Sequence, residues 1–184
     1  MEIELDKLYL FIQKAGRSTY ASSGVESITY DKNGFKELNF TEGDYTYKDS
    51  YAGFFKSRGM EIVTYKNQPV WTMSYGGGML EENEELALQT FGFLKKAFLT
   101  DEPKFQTFRG PSSLKEGDWE YSYKQDGDIK EFSGYEEISF KGKRVFFHRT
   151  IGGLVVNKWN HKAQYIACPQ IFAKPSNLTA QSKI

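Results

Sequence analysis

The feature that most constrains this 184-residue chain is that it repeats itself. Glu42-Gly43-Asp44-Tyr45-Thr46-Tyr47 returns as Glu116-Gly117-Asp118-Trp119-Glu120-Tyr121, an offset of 74 residues, and Gly53 keeps that offset with Gly127. Gly59 to Asn67 matches Gly134 to Gly142 at an offset of 75. That match runs on through Val70/Val145 and Trp71/Phe146 to Gly77-Gly78/Gly152-Gly153. Upstream, Phe11-Ile12-Gln13-Lys14-Ala15 resembles Phe93-Leu94-Lys95-Lys96-Ala97 at an offset of 82. The fall in offset from 82 to 74 makes the second copy shorter by eight residues between these blocks. Three blocks in one order predict a duplicated unit.

Each unit opens on a helical stripe. Leu5, Leu8, Ile12 and Ala15 have helical spacing, with Gly16 placed to end the helix. In the second unit Leu86, Phe93, Leu94 and Ala97 make the stripe. Glu81, Glu82, Glu84 and Glu85 stand at its start and Lys95 and Lys96 at its end, the arrangement that suits a helix dipole. The remainder reads as antiparallel strands. Met60 to Tyr65 and Val70 to Tyr75 flank Lys66-Asn67-Gln68-Pro69, and Lys141-Gly142 occupies the same place in the second unit, so both predict a short hairpin. Aromatics at 16 % of the chain favour strands and can build a core poor in aliphatic residues. The predicted fold class is α+β: two tandem degenerate repeats, each an amphipathic helix packed on an antiparallel sheet. A single duplicated domain spans 1–173, with repeat one at about 4–80, repeat two at about 81–155 and a C-terminal extension at 156–173. Residues 174–184 read as a flexible tail.

No apolar run approaches the ~20 residues of a membrane span. The first residues, Met1-Glu2-Ile3-Glu4-Leu5-Asp6, are acidic and unlike a secretory leader. One cysteine, Cys168, cannot form an intramolecular disulfide and fits a reducing compartment, so a cytoplasmic protein is expected. Net charge is zero but unevenly spread. Residues 1–92 carry 9 basic and 14 acidic groups, and no acid follows Glu137, while eight basic residues do.

Particular residues resemble a known pattern. Leu8, Phe11-Ile12, Lys14-Ala15, Thr19-Tyr20-Ala21, Glu42-Gly43-Asp44-Tyr45, Tyr47, Glu61, Val63, Pro69-Val70-Trp71, Met73 and Tyr75 occur in order. Phe108-Arg109-Gly110-Pro111, Glu116-Gly117-Asp118, Gly134-Tyr135-Glu136-Glu137 and Gly152-Gly153 follow. Over residues 5–155 the chain resembles the bacterial domain-of-unknown-function family numbered 5680. Some relatives carry this domain behind a helix-turn-helix segment, which implies a sensing or partner-binding role. This chain opens directly on the repeat, so the expectation is a domain without that segment in front. The resemblance carries no activity over to this chain.

Chemistry-bearing residues are few. The two histidines, His148 and His161, and the lone cysteine make no zinc pattern, and no cofactor is expected. Gly76-Gly77-Gly78 and Gly152-Gly153 read as a strand-end turn needing positive φ, in preference to a phosphate cradle. Glu61 and Glu136 share strand faces with apolar residues. A carboxylate facing a core has a raised pKa and could serve as acid or base, although a structural hydrogen bond is the favoured reading. By period-2 alternation Tyr45 and Tyr47 share a face, as do Trp119 and Tyr121, and Trp71 shares one with Met73 and Tyr75. With His148 in Met73's repeat position, Tyr45, Tyr47, Trp71, Tyr75, Trp119, Tyr121 and His148 are the ligand-binding candidates, against the alternative of an aromatic core. Lys141, Lys143, Arg144 and Arg149, with Trp159 and His161, are anion-binding candidates. A solvated face, or pairing with the acidic half and its glutamates at 81–85, is favoured over nucleic acid because the whole chain is neutral.

The leading reading is a non-catalytic ligand-binding or sensor-like module, with an unknown small ligand or protein partner and no membrane. Interaction through the basic segment is second, and an enzyme using Glu61 or Glu136 third. Charge asymmetry would also allow a homo-oligomer.

Overall fold

The computed structural model describes residues 3–21, 28–100 and 107–157. Trp159, His161, Cys168, most of the expected extension and the whole expected tail lie outside them. Within these residues two α-helices, α1 (Leu5–Ser18) and α2 (Ala87–Leu99), accompany nine strands. The strands are β1 (Thr29–Tyr30), β2 (Lys36–Glu42), β3 (Tyr45–Gly53), β4 (Lys56–Tyr65), β5 (Gln68–Met79), β6 (Ser113–Glu116), β7 (Trp119–Gly127), β8 (Glu131–Phe140) and β9 (Lys143–Leu154). All pair antiparallel in one sheet of order β1-β2-β3-β4-β5-β9-β8-β7-β6. The fold class is α+β. No helix among the described residues is long and apolar enough to cross a membrane.

The hairpins follow from local chemistry. Lys66 and Asn67 (φ 50° and 61°) close β4–β5, and Lys141 and Gly142 (φ 51° and 74°) close β8–β9. Positive φ at both loop residues matches the right-handed twist of the flanking strands, which ordinary turns would splay. A bulge precedes each loop, in β4 at Val63/Thr64 and in β8 at Ile138/Ser139.

Two sequence expectations change here. Gly16 does not end α1, which runs on to Ser18 and closes when the Thr19 amide and hydroxyl both donate to the Ala15 carbonyl, at 3.0 and 2.8 Å. One glycine costs a helix only about 1 kcal/mol, and the buried Ala15 and Thr19 hold the last turn. Nor do the glycine runs form a strand-end turn. Gly76-Gly77-Gly78 lies inside β5 and Gly152-Gly153 inside β9. Positive φ occurs there, at 134° for Gly78 and 152° for Gly153, but the cause is close approach of backbone. A Cβ on Gly78 would stand 2.0 Å from the Phe55 carbonyl oxygen, and one on Gly153 2.3 Å from that of Lys130.

One sheet face carries both helices and two apolar clusters. Leu8, Phe11, Ile12 and Ala15 of α1 pack on Tyr47, Val63, Val70, Trp71, Met73 and Phe132. Ala87, Phe93, Leu94 and Ala97 of α2 pack on Met79, Tyr121, Ile138, Val145 and Phe146. The buried α2 stripe includes Thr90 and begins at Ala87, so Leu86 stands ahead of the helix in a short 3-10 turn. Trp71 is fully buried, stacked on Phe132 (centroids 5.9 Å, 14° between planes) and tilted against Phe108 at 5.3 Å. Trp71→Ala should therefore cost ~3–5 kcal/mol, read as a lowered urea midpoint. An unchanged midpoint would put the indole outside the core.

Candidate functional site

Strand alternation sends a second set of side chains to the helix-bearing face, between the two apolar clusters, and this set is polar. Asp49 on β3 stands directly opposite Glu61 on β4. Glu136 on β8 stands opposite His148 on β9. All four are at most 6 % exposed. Buried carboxylates in such number require a cation, and one is delivered from outside the sheet by Arg109, in the loop before β6.

That loop is fixed at several points. The Thr107 hydroxyl donates to the Gly110 carbonyl at 2.7 Å, and the Gly110 amide donates to the Tyr121 hydroxyl at 3.0 Å. Gln13 of α1 donates to the Thr107 carbonyl. Phe108 is thereby driven into the α1 cluster, 4.6 Å from the Phe132 ring centroid, and the next residue points to the sheet centre. The Arg109 guanidinium bridges the two glutamates: Nη2 is 3.0 Å from Glu136 Oε2, and Nη1 is 3.5 Å from Glu61 Oε1. It also lies 4.5 Å from the Phe98 ring centroid and 5.5 Å from that of Tyr75.

The three acids have unequal surroundings. Burial alone would raise Glu136, but Arg109, His148 and their hydrogen bonds outweigh it and hold the carboxyl down to about 2. The Tyr121 hydroxyl adds a 2.8 Å bond. Glu61 is pushed up to about 8, first by burial and then by the facing Asp49 charge, with Arg109 and a Tyr47 hydroxyl bond opposing. Burial pushes Asp49 up to about 6 against the pull of the Tyr75 hydroxyl, which is 2.9 Å from its Oδ1, and of Arg109. Burial lowers His148 despite Glu136, so its ring is held neutral. The tautomer that satisfies its neighbours donates from Nδ1 to Glu136 (3.3 Å) and accepts at Nε2 from the Ser57 hydroxyl (3.1 Å).

Above this network the helices leave a cavity of about 540 Å³, within the range of small-molecule sites. Asp49, Glu61, Arg109 and His148 reach its floor, and Tyr20, Phe54, Phe91, Phe98 and Phe108 contribute to its walls. Among the ligand-binding candidates Tyr47, Tyr75 and His148 border it. Trp71 and Tyr121 instead belong to the closed core. Tyr45 stacks on Phe11 and Tyr65, and Trp119 on Phe140, all away from the cavity. These four do not line the cavity, which opens only between the helices. Glu61 borders the cavity while Glu136 is sealed beneath Arg109, so the two do not offer the shared cleft an acid–base pair would need.

The anion-binding candidates sit elsewhere. Lys141 and Lys143 are exposed at the β8–β9 hairpin, with Lys141 over the Phe140 ring. Arg144 pairs with Glu137 at 3.8 Å and donates to the Tyr135 hydroxyl at 2.7 Å, and Arg149 lies over the Tyr135 ring. The partner expected among the helix-two glutamates is thus replaced, for Arg144, by a sequence neighbour across the hairpin. Arg109 and Asp49 were not among the sequence candidates. Asp49 was legible, since alternation puts it on the face of Tyr45 and Tyr47. Among the described residues no three of His, Cys, Asp and Glu are grouped to hold a metal.

A family model described as a domain of unknown function (DUF5680) matches residues 49–155. No curated protein and no solved structure matches the chain.

Proposed function

The chain belongs to the DUF5680 domain family, and on that premise we propose that it is a non-catalytic, sensor-like module that binds a small molecule between α1 and α2. The observation that carries this reading is the cavity: apolar aromatic walls over a floor of a few convergent polar groups, the usual composition of a ligand site. Each helix also presents a glycine to it. Gly16 and Gly92 border the cavity, and an added Cβ would meet nothing within 4 Å at either. Mid-helix glycine is unfavourable by about 1 kcal/mol relative to alanine, so space is being kept where stability would favour a side chain.

We also read the sheet as two copies of one unit, meeting at β5 and β9. The matching two-residue loops, the matching bulges, and the bonds from the Lys66 and Lys141 amides to the Asp44 and Asp118 carbonyls at 2.9 and 2.8 Å support this. On this reading Glu61 and Glu136 are the same residue twice, brought to one arginine. The copies then diverged where the cavity lies: Asp49 stands at the position of Tyr123, and His148 at that of Met73.

Plugging the cavity tests the reading. Gly16→Phe and Gly92→Phe should leave the protein folded, with a melting temperature at or above wild type. Both should lose any small molecule that native mass spectrometry finds on gently purified wild type. Plugged variants that keep the adduct, or a wild type that carries none and binds nothing in a thermal-shift screen, would overturn it.

A further inference from the structure

We infer that the ligand of this cavity is an organic cation, an aromatic-bodied amine whose protonated nitrogen sits against Asp49 and Glu61. The inference rests on the ligand-site reading above and adds the charge of the ligand.

The first support is the set of partners at the floor. Three buried carboxyl groups, Asp49, Glu61 and Glu136, share one guanidinium, and that guanidinium bridges the two glutamates. His148 is neutral and held by Glu136 and Ser57. Among the described residues no cation is within ion-pair distance of Asp49, although Arg109 acts on it from further off; its oxygens are served by one tyrosine hydroxyl, at 2.9 and 3.2 Å. The second support is Glu61. It is 6 % exposed and borders the cavity, yet its one cation contact, at 3.5 Å, is longer than a normal hydrogen bond. The two under-served acids are direct cross-strand neighbours on one face, so their side chains are close enough to share one donor group. A protonated amine supplies up to three donors and one positive charge, so it would pair with the Asp49 carboxylate and favour loss of the Glu61 proton beside it.

The walls agree. Tyr47, Tyr75 and Phe146 rim the same space, and aromatic faces attract cations. An anion would find no free partner on the floor, because Arg109 is already bridged and sandwiched by Phe98 and Tyr75. Arg17, Lys36 and Lys95 also border the cavity, all three half-buried, and the two lysines lie over the Tyr51 and Tyr20 rings. Water screens the two lysines far more than it does the floor.

Three probes on one body test this: naphthylmethylamine, naphthylmethanol and naphthylacetate, a cation, a neutral and an anion at neutral pH. Titration calorimetry on the full chain should rank the amine at least about tenfold tighter than the alcohol, with the acid weakest. Asp49→Asn and Glu61→Gln should each weaken the amine more than the alcohol and so bring the two toward parity. Both substitutions are isosteric, and a thermal melt of each confirms the fold. If all three probes bind wild type equally, or the acid binds best, the cation assignment falls while the ligand cavity stands. If the amine preference survives in both variants, the nitrogen is held elsewhere and the assignment also falls. If none binds and native mass spectrometry shows no adduct, the cavity reading falls and takes the assignment with it.

Discussion

Replacing Arg109 by methionine should lower the free energy of unfolding by ~3–5 kcal/mol, the cost of removing one partner from a buried ion network. Methionine fills much of the aliphatic volume and can still pack on Phe98, so lost packing is the smaller part. The larger part is that Glu136, ionised and sealed from water, would lose the guanidinium that compensates its charge, and Glu61 beside it would lose its only ion-pair partner among the described residues. Lysine should rescue only part of the loss. Its ammonium is a point charge, and the span from 3.0 Å at Glu136 to 3.5 Å at Glu61 uses two separate nitrogens of a planar fork. Adding Glu61→Gln and Glu136→Gln to Arg109→Met should restore most of the stability, because neutral amides carry no charge to desolvate. Urea denaturation of the set measures all of this. A loss under about 1 kcal/mol for Arg109→Met would mean that water reaches the glutamates and that the arginine does not organise the centre.

Stability should fall as the pH rises from weakly acidic to weakly alkaline, the reverse of the usual carboxylate behaviour. Glu61 has its folded pKa raised from 4.5 to about 8, and Asp49 from 3.8 to about 6. Between each pair of values the folded protein holds a proton that the unfolded chain has released, so unfolding becomes easier with each pH step. Glu136 acts oppositely: lowered to about 2, it adds stability above its ordinary value of 4.5 and loses it only as the pH falls toward 2. His148, lowered from its ordinary 6.5 by burial, likewise loses stability as the pH falls through that value, so the maximum should lie in the weakly acidic range, between that loss and the one Glu61 brings as the pH rises. From pH 4.5 to 7, Glu61 alone should remove on the order of 3 kcal/mol. The groups that face it set this number: Tyr47 and Asp49 from β3, Tyr75 from β5, Glu136 from β8, His148 from β9 and Arg109 from the loop. Glu61→Gln should flatten the alkaline side and leave the acid limb in place. A Glu61→Gln profile that coincides in shape with wild type from pH 5 to 8 would show that Glu61 is ionised throughout.

Elements whose cause is local were open to sequence reasoning. The stripe Leu8, Ile12 and Ala15, the loops Lys66-Asn67 and Lys141-Gly142, and the alternation Tyr45, Tyr47 need only the 3.6 and 2.0 periods and the φ of a turn. The glycine runs show where that logic stops. The need for a missing side chain at Gly78 and Gly153 was visible, but the backbone they must clear belongs to Phe55 and Lys130, which strand pairing brings beside them.

The site divides the same way. Two glutamates on apolar strand faces were legible as buried carboxylates, and Asp49 lay on a face already in view. What neutralises them was not legible. Arg109 is 48 residues from Glu61 and 27 from Glu136 along the chain, in a segment that reads as an ordinary loop. Its burial depends on Phe108 entering the α1 cluster and on Gly110 fitting against Tyr121, contacts no local pattern encodes. By itself, then, the sequence determined the strand faces, the turn chemistry and the acids that must be buried, because each depends on residues a few positions apart. Only the tertiary structure decided which cation those acids share, which aromatics close over as core, and that the two helices stand apart over the sheet centre. Those depend on distances between segments far apart in the chain, and the open space between α1 and α2 is a difference between two packings that no single segment records.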